Sequence, residues 1–550
     1  MNMKRIKDPI YGYISIDEHI FFDIIDTACF QRLRNIRQTS YIPLYPASFH
    51  NRFIHSLGVY HLGQIAIRAV EVSLLTPDFS TFTKDAWKRY KELFELACLL
   101  HDVGHAPFSH TGEDFYWTSS PSIRDHLCNI VDDADFTKDA QERRKGKEAA
   151  AHEIMSCIVA LETFSEHFRD KSEKDFFVRC ITGYLYTEPL NDQTHIKNCL
   201  IQLLNSPIID VDRLDYIIRD AQTIGFQSVS IDISRLLNGL CIIEYKGKKC
   251  LAYDKSALTV IENVIYAHDS EKKWIQNHPV ILYEHFLLQH AMRIINQNYR
   301  QMDETPNIFS YPALTEIGTK VQGNESSLHI SLLADEDVLF IMKNICSDDL
   351  IKEFFARKLR RHPIWKSEAE YRTLFDIAVG GGRKLEELEN DFREIERYLV
   401  THNELYPIPV INETTLNTIL EEERKVAEAI RRGQVSEKDY PADAGISKVK
   451  KWALCLREIA NECDIPFDFV IVCTNKFQSN FLKTELEKIL IHFQSLDSVE
   501  CIKDVSSILS SQTNREKLFY LFYNDRAEDG SKKKIDRKLI ANKLFHTLFR

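Results

Sequence analysis

The chain has 550 residues, of which 44% are hydrophobic and 27% charged, and its formal net charge is −11. This composition is typical of a water-soluble globular protein, and the acidity argues against a generally basic nucleic-acid-binding surface. No apolar run approaches the ~20 residues of a membrane span, and the N-terminus lacks the apolar segment of a signal peptide. The 13 cysteines form no CxxC pair, which favours a reducing, cytoplasmic location.

Apolar residues at helical spacing predict two helices that carry histidines near their ends. The first runs from Phe53 through Val70 and contains His55, and the second runs from Asp85 to His101. Gly104 follows the second helix and is typical of a helix stop. His101 and Asp102 are therefore expected at a buried helix end, where an adjacent imidazole and carboxylate can share a metal ion.

A third helix is predicted over residues 210–220. Asp212, Tyr216 and Asp220 recur every four residues and share one face, and Leu214 lies on the opposite, apolar side. The polar stripe is either a pocket wall or a solvated face, and this stretch alone does not distinguish the two.

Most of residues 15–305 is predicted to be helical, so the fold class is mainly α: a helical core, a small β-hairpin at residues 240–253 and a C-terminal α/β lobe. The lobe is indicated by a strand at 467–473, a helix at 483–493 and a strand at 499–502. We expect three consecutive segments: a core at 1–305, a helical extension at 306–445, and the lobe at 446–550. A charged helical stretch at 412–448 is expected to connect the last two.

Five motifs in order resemble the HD-domain deoxynucleoside triphosphate triphosphohydrolases, which include dGTPases, over about the first 300 residues. These motifs occupy residues 7–12, 24–38, 50–58, 101–110 and 210–220. The resemblance implies an HD-domain core that hydrolyses a dNTP to a deoxynucleoside and inorganic triphosphate.

The resemblance also implies four metal ligands, His55, His101, Asp102 and Asp212. Two imidazoles and two carboxylates accommodate manganese, iron, zinc or magnesium. A histidine hydrogen-bonded inside the core is the alternative for each imidazole taken alone.

In the resemblance, His110 is the acid that protonates the leaving 5′-oxygen, with Glu113 and His152 as its orienting partners. His105 is expected to contact the α-phosphate. His126 competes with His152, because the gap after His110 is longer than in the family. His152 is preferred since it begins a clean helical pattern.

The same resemblance implies a substrate pocket and a regulatory site. The substrate residues are Gln38, Arg52, Arg213, Tyr216, Asp220, Lys272 and Asn277, with Lys273 as an alternative to Lys272. The allosteric residues, which bind an activating nucleotide across subunits, are Lys7, Asp26, Gln31 and Arg34. The implied partners are therefore a dNTP, an activating nucleotide and further copies of the chain in a dimer or tetramer, with no membrane.

Two other functions remain open at this point. One is an HD phosphodiesterase or nucleotidase that acts on another nucleotide, and the other is a nucleotide sensor without turnover. Tyr216, Asp220 and Arg52 favour the dNTP hydrolase, and the complete ligand set together with His110 argues against the sensor.

Overall fold

The computed structural model of the chain describes residues 2–39, 44–74, 82–116, 122–142, 149–187, 190–226, 230–301, 308–322, 327–345, 348–356, 360–379, 385–402, 409–432, 443–474, 486–506, 518–526 and 530–548. Within these residues, no helix combines the length and apolarity needed to cross a membrane.

The fold is mainly α, as predicted. The helices are α1 (Arg52–Leu74), α2 (Lys84–Leu100), α3 (Ile123–Val131), α4 (Ala134–Glu142), α5 (Ala151–Thr163), α6 (Lys171–Thr182), α7 (Asp192–Leu204), α8 (Val211–Ile224), α9 (Ile233–Asn238), α10 (Leu258–Glu271), α11 (Pro279–Asn298), α12 (Asp335–Asn344), α13 (Asp349–Phe355), α14 (Glu368–Val379), α15 (Leu385–His402), α16 (Glu413–Arg431), α17 (Asp443–Cys463) and α18 (Arg537–Thr547). Shorter helical turns include Ala28–Gln31, Arg32–Asn35, Ser109–Thr111 and Lys272–Gln276.

The strands form small sheets between these helices. They are β1 (Met3–Asp8), β2 (Gly12–Asp17), β3 (Leu240–Tyr245), β4 (Lys248–Asp254), β5 (Arg300–Gln301), β6 (Thr319–Gln322), β7 (Ser327–Ile330), β8 (His362–Pro363), β9 (Val410–Asn412), β10 (Asp468–Cys473), β11 (Leu490–Phe493), β12 (Ser498–Cys501) and β13 (Phe519–Tyr523). The sheet orders are β1-β2, β12-β11-β4-β3, β5-β6-β7 and β8-β13-β10-β9.

The chain divides into two compact units that are discontinuous in sequence. The first comprises Met1–Lys273, Ile295–Ile345 and Asn480–Asn514, and the second comprises Trp274–Ile294, Cys346–Ser479 and Arg515–Arg550. Each unit thus combines separated parts of the chain. The three consecutive domains expected from the sequence stay a prediction.

In the first unit, three predicted helices converge on the histidine motifs. Helix α1 packs against both α2 and α8. The Thr83 side chain caps the start of α2, and the Asp210 side chain caps the start of α8 by accepting a hydrogen bond from the Arg213 backbone N–H. The Asp210 cap places Asp212 in the first turn of α8, and His101 directly follows the last residue of α2.

The β-hairpin predicted at 240–253 is confirmed, but its sheet is larger than expected. Strand β11 adds to β4 in parallel and β12 adds to β11. The helix predicted at 483–493 is therefore wrong over Leu490–Phe493, because backbone pairing with β4 overrides a local helical pattern. Residues 483–485 lie outside the described residues.

The second unit contains the other predicted strand of the C-terminal lobe, β10. It pairs with β9 and β13 in a sheet covered by helices, and Trp365 and Trp452 are fully buried in that core. The charged connector predicted at 412–448 is helical over Glu413–Arg431, and residues 433–442 lie outside the described residues.

The HD motif has close backbone packing at Gly104. A Cβ at this position would lie 2.4 Å from the carbonyl carbon of Met155 and 2.4 Å from the nitrogen of Ser156. We expect Gly104→Ala to lower the free energy of unfolding by about 1–3 kcal/mol through overpacking, measured by urea unfolding. Gly239→Ala, whose nearest contact would be the Ala257 side chain at 3.2 Å, is the control. Equal losses in the two variants would contradict this account.

Candidate metal centre and its histidine–glutamate cluster

Four donor atoms meet where α1, α2 and α8 converge. The Nε2 atoms of His55 and His101 lie 3.2 Å apart, and each lies 3.5 Å from Asp102 Oδ2. Asp212 Oδ1 lies 3.0 Å from His55 Nε2 and 3.6 Å from His101 Nε2. Donors bonded at about 2.0–2.2 Å to one ion are separated by about 2.8–3.6 Å in octahedral or tetrahedral coordination. The observed separations fit a single cation.

The tautomers of the two histidines also fit a cation. His101 Nδ1 lies 2.9 Å from the Cys98 carbonyl oxygen, which only accepts, so this nitrogen carries the proton. His55 Nδ1 donates to Asp215 Oδ2 at 2.7 Å. Each ring therefore turns its Nε2 atom to the centre, and two unprotonated nitrogens there repel each other unless positive charge, from a proton or a cation, lies between them. Such a carboxylate–histidine pair is typical of metal-ligating imidazoles.

The electrostatics of the centre favour positive charge. Burial opposes protonation of His55, but hydrogen bonds to Asp212 and Asp215 raise its pKa to about 9. Burial likewise opposes ionisation of Asp102, yet Arg52 and the neighbouring histidines hold the pKa of Asp102 well below its usual range. His55, His101 and Asp102 are buried, whereas the Asp212 side chain is 37% exposed. The accessible side of the centre is therefore at Asp212.

A second cluster of four side chains, His105, His110, Glu113 and His152, adjoins the first. Glu113 Oε1 lies 2.5 Å from His110 Nδ1 and 2.9 Å from His152 Nδ1. The rings of His105 and His152 stack at 4.4 Å, and His105 Nε2 lies 3.2 Å from Asp102 Oδ1. His105 thus joins the cluster to the candidate metal ligands, and the His110 side chain, 64% exposed, is accessible to a substrate.

Charge in the cluster is divided unequally. Burial opposes protonation of His152, but the Glu113 carboxylate raises its pKa to about 9. Burial and the nearby Arg52 hold the pKa of His105 well below its usual range, so this ring is neutral. The structure brings His152 to Glu113, and its competitor His126 lies on α3.

The loop before His110 has strained backbone. Phe108 and Ser109 adopt left-handed φ values of 57° and 55°, which cost energy in residues other than glycine. Asp335 Oδ1 accepts a hydrogen bond from the Phe108 backbone N–H at 2.6 Å. This carboxylate, which sequence reasoning missed, holds the loop that presents His110.

Arg52 and Gln38 line the same region but contact protein groups. Arg52 Nη1 donates to Asp102 Oδ2 at 2.7 Å, Nε to Ser109 Oγ at 2.9 Å and Nη2 to the Gln38 carbonyl at 3.3 Å. The Gln38 side-chain oxygen is buried with no hydrogen-bond partner among the described residues. The phosphate contact expected of Arg52 therefore stays a prediction.

Helix α8 places the other expected substrate residues. Asp220 is buried and its Oδ1 lies 2.5 Å from His50 Nε2, a partner that the sequence did not identify. Burial disfavours the charged form of Arg213, but the neighbouring Asp210 and Tyr216 raise its pKa above the usual value. Lys272 directly follows α10, which packs against α8. Burial lowers the pKa of His268, and the positive charges of Arg213 and Lys272 lower it further. Asn277 falls in the second compact unit.

The expected allosteric residues are on the first unit's surface. The Lys7 ammonium lies 4.6 Å from the centre of the Tyr13 ring. Arg34 Nε donates to Gln31 Oε1 at 2.6 Å, and its guanidinium lies over the Phe53 ring. Asp26 is exposed after the Phe21–Ile25 turn. The structure joins Gln31 to Arg34, and nucleotide binding at this set stays a prediction.

A family model described as "HD domain" matches residues 52–196. This match includes α1, the His101-Asp102 pair and the second cluster. Residues 52–196 are thus similar to an HD domain.

The sequence of the chain is also similar to several known proteins. The chain is 30% identical over 269 residues to an uncharacterized protein of Mycoplasma genitalium, covering 48% of this chain and 54% of that one. It is 30% identical over 270 residues to the deoxynucleoside triphosphate triphosphohydrolase SAMHD1 of Mus musculus, covering 46% and 36%. The chain thus spans about half the length, or less, of these relatives. The predicted resemblance to HD-domain dNTPases is confirmed.

A solved structure of a hypothetical protein from Aquifex aeolicus covers 100% of both chains at 17% identity with a TM-score of 0.54. That similarity concerns the fold alone. The HD-domain match covers three of the four donors of the candidate metal centre, His55, His101 and Asp102.

The donor geometry predicts metal binding that depends on Asp212. We expect Asp212→Asn to lower Mn²⁺ affinity by at least about tenfold, because a charged ligand is lost; equilibrium dialysis with metal analysis measures this. Asp192→Asn, which also changes an acidic residue in the first turn of a helix, is the matched control. Unchanged affinity in both variants would argue against this centre.

The Glu113–His152 pair predicts a pH effect on stability. Because the pKa of folded His152 is about 9, above its ordinary value of about 6.5, the contribution is full below about pH 6.5 and disappears as the pH rises through 9. We expect Glu113→Gln to flatten the fall in free energy of unfolding between pH 6.5 and 9.5. Parallel curves for the variant and the wild type, from urea unfolding, would refute the pairing.

Proposed function

We propose that this protein is a metal-dependent dNTP triphosphohydrolase that converts a dNTP and water to a deoxynucleoside and inorganic triphosphate. The observation that carries the proposal is the union of two clusters through His105. One is the candidate metal centre, and the other is the histidine–glutamate cluster, in which the His110 imidazole is exposed. Hydrolysis of a phosphoester needs both kinds of group.

His55, His101, Asp102 and Asp212 would hold the ion. When bound, a divalent cation makes water more acidic and withdraws charge from phosphoryl oxygens. Asp215 keeps the proton on His55 Nδ1, and the Cys98 carbonyl keeps it on His101 Nδ1, so both Nε2 atoms stay available as ligands. Manganese, iron, zinc and magnesium all suit this donor set.

His110 is the proposed acid that protonates the leaving 5′-oxygen. The water oxygen forms a bond to the α-phosphorus and releases one proton to the solvent, while the bond from phosphorus to the 5′-oxygen breaks and that oxygen takes a proton from His110. Glu113 binds His110 through Nδ1 at 2.5 Å, which leaves Nε2 of the exposed ring to deliver the proton. His152, held at 2.9 Å from Glu113, supports this orientation and adds positive charge.

Cations beside the centre suit a triphosphate. Arg213 is adjacent to Asp212, and its Nε and Nη1 are buried with no hydrogen-bond partner among the described residues. A guanidinium with free N–H groups favours phosphate oxygens. Lys272 supplies a second positive charge beside Arg213, and Tyr216 and Asp220 on the same helix are the proposed sugar contacts.

A second candidate is an HD nucleotidase or phosphodiesterase acting on another nucleotide. Two hydrogen bonds favour it: Asp220 Oδ1 is hydrogen-bonded to His50 Nε2, and Arg52 Nη1 donates to Asp102 Oδ2. The two groups proposed to select a deoxynucleoside triphosphate therefore have protein partners already.

Regulation is proposed at the surface set Lys7, Asp26, Gln31 and Arg34. The set offers cations, a carboxylate and an amide, which together suit the phosphates and base edge of a nucleotide. A homo-oligomer and a cytoplasmic location belong to the same proposal, and a non-catalytic sensor is its alternative.

The test is product analysis by anion-exchange chromatography after incubation with each dNTP and NTP, singly and in pairs, with Mn²⁺ or Mg²⁺. We expect deoxynucleoside and triphosphate, and a lower kcat by about 10²–10⁴-fold in His110→Gln, since a general acid is lost. His126→Gln is the matched control and should retain activity.

Other products separate the alternatives. Orthophosphate or pyrophosphate would indicate the nucleotidase, and nucleotide binding without turnover in any pairing would indicate the sensor. Turnover that requires two different nucleotides would support the regulatory site.

A further inference from the structure

Four buried side chains connect the N-terminal hairpin to the candidate metal centre. Asp8, at the end of β1, accepts a hydrogen bond on Oδ2 from Arg219 Nη1 at 3.0 Å. Arg219 Nε and Nη2 donate to the two oxygens of Asp215 at 2.8 and 2.9 Å. Asp215 Oδ2 in turn accepts the His55 Nδ1 proton at 2.7 Å. The distance in sequence from Asp8 to Arg219 is 211 residues, so this connection is tertiary.

These four side chains are buried, which restricts their relative positions. Asp8 is 4% exposed, Arg219 1%, and Asp215 and His55 0%. Charge-assisted hydrogen bonds are directional and strong in such surroundings, and Arg219 meets Asp215 with its planar fork. A shift of the guanidinium is therefore transmitted to the carboxylate that orients His55.

Asp8 also determines the shape of the hairpin. Its Oδ1 accepts hydrogen bonds from the backbone N–H groups of Ile10 and Tyr11 at 2.8 and 3.0 Å. Those residues form the turn between β1 and β2. One carboxylate thus fixes the turn with one oxygen and Arg219 with the other, so the turn cannot rearrange without affecting Arg219.

Helix α1 has a glycine where these contacts pass. A Cβ on Gly58 would lie 1.9 Å from Asp215 Oδ1 and 2.5 Å from Arg219 Nη2. The absence of a side chain at this position lets Asp215 and Arg219 lie directly against the backbone of α1, one turn after His55. The Tyr11 ring, 5.7 Å from the Arg219 guanidinium carbon, covers the other side.

We propose that Asp8, Arg219 and Asp215 are positioning residues through which the N-terminal hairpin sets the metal affinity of His55. The inference deepens the proposed function, since it rests on the metal centre described there.

The experiment is a Co²⁺ titration of the purified full-length chain, with the visible absorption spectrum of the bound ion as the readout. Asp8→Asn keeps an oxygen for the turn and removes the charge that Arg219 binds. We expect a Co²⁺ Kd about tenfold higher, at the lower end of the 10–100-fold cost of losing an outer partner, with an altered spectrum. Asp17→Asn, on the same hairpin at the end of β2, is the matched control and should stay within about twofold of wild type.

A double-mutant cycle tests whether Asp8 acts through Arg219. In the Arg219→Gln background, Asp8→Asn should cause no further loss of affinity. Arg219→Lys retains the charge without the fork and provides a second variant should Asp8→Asn unfold, which thermal unfolding followed by circular dichroism reports. We expect its Co²⁺ Kd to rise also.

The outcomes separate this inference from the proposed function. Equal Kd values and spectra for Asp8→Asn and Asp17→Asn, or additive effects in the cycle, would overturn the positioning role and leave the metal centre standing. A wild-type chain that binds no Co²⁺ would overturn both. Retained Co²⁺ binding without dNTP turnover, together with the expected loss in Asp8→Asn, would support the positioning role and refute the proposed substrate.

Discussion

Two imidazole nitrogens facing each other at 3.2 Å inside the protein are unfavourable without positive charge. The surroundings are arranged around that constraint. Asp102 and Asp212 add negative charge on two sides, and Asp215 and the Cys98 carbonyl fix the protons on the far nitrogens. The helices α1, α2 and α8 are the scaffold for these groups, and their close packing leaves the accessible side at Asp212. The fold and the donor set thus depend on each other.

The local part of this arrangement could be predicted from the sequence. Apolar periodicity indicated α1, α2 and α8 to within a few residues, because the pattern and the capping groups lie inside each segment. The adjacent His101 and Asp102 at the end of an apolar helix indicated a metal site. His152 was preferred to His126 for its helical pattern, and the structure places His152 beside Glu113.

The long-range part could not be predicted. Residues 210–220 contain four aspartates, and nothing local distinguishes Asp215, which orients His55, from Asp212, which faces the centre. The hydrogen bonds of Arg52 to Asp102, of Asp220 to His50 and of Arg219 to Asp8 join residues that are 50, 170 and 211 positions apart in sequence. The strand β11 was predicted as helix because its hydrogen bonds go to two other strands, β4 and β12, and a local helical pattern does not report that pairing.

That pairing of β11 with β4 has a consequence for shortened forms of the protein. A chain cut before residue 490 would lack β11 and β12, so the backbone of Ala252–Asp254 would lose its parallel partner. Unpaired N–H and C=O groups on a sheet edge bind other exposed strands. Removal of the C-terminal segment would therefore leave β4 with an unpaired edge, besides the loss of β13 and α18 from the second unit. Self-association of such a fragment would reflect these exposed surfaces and not the assembly of the intact chain.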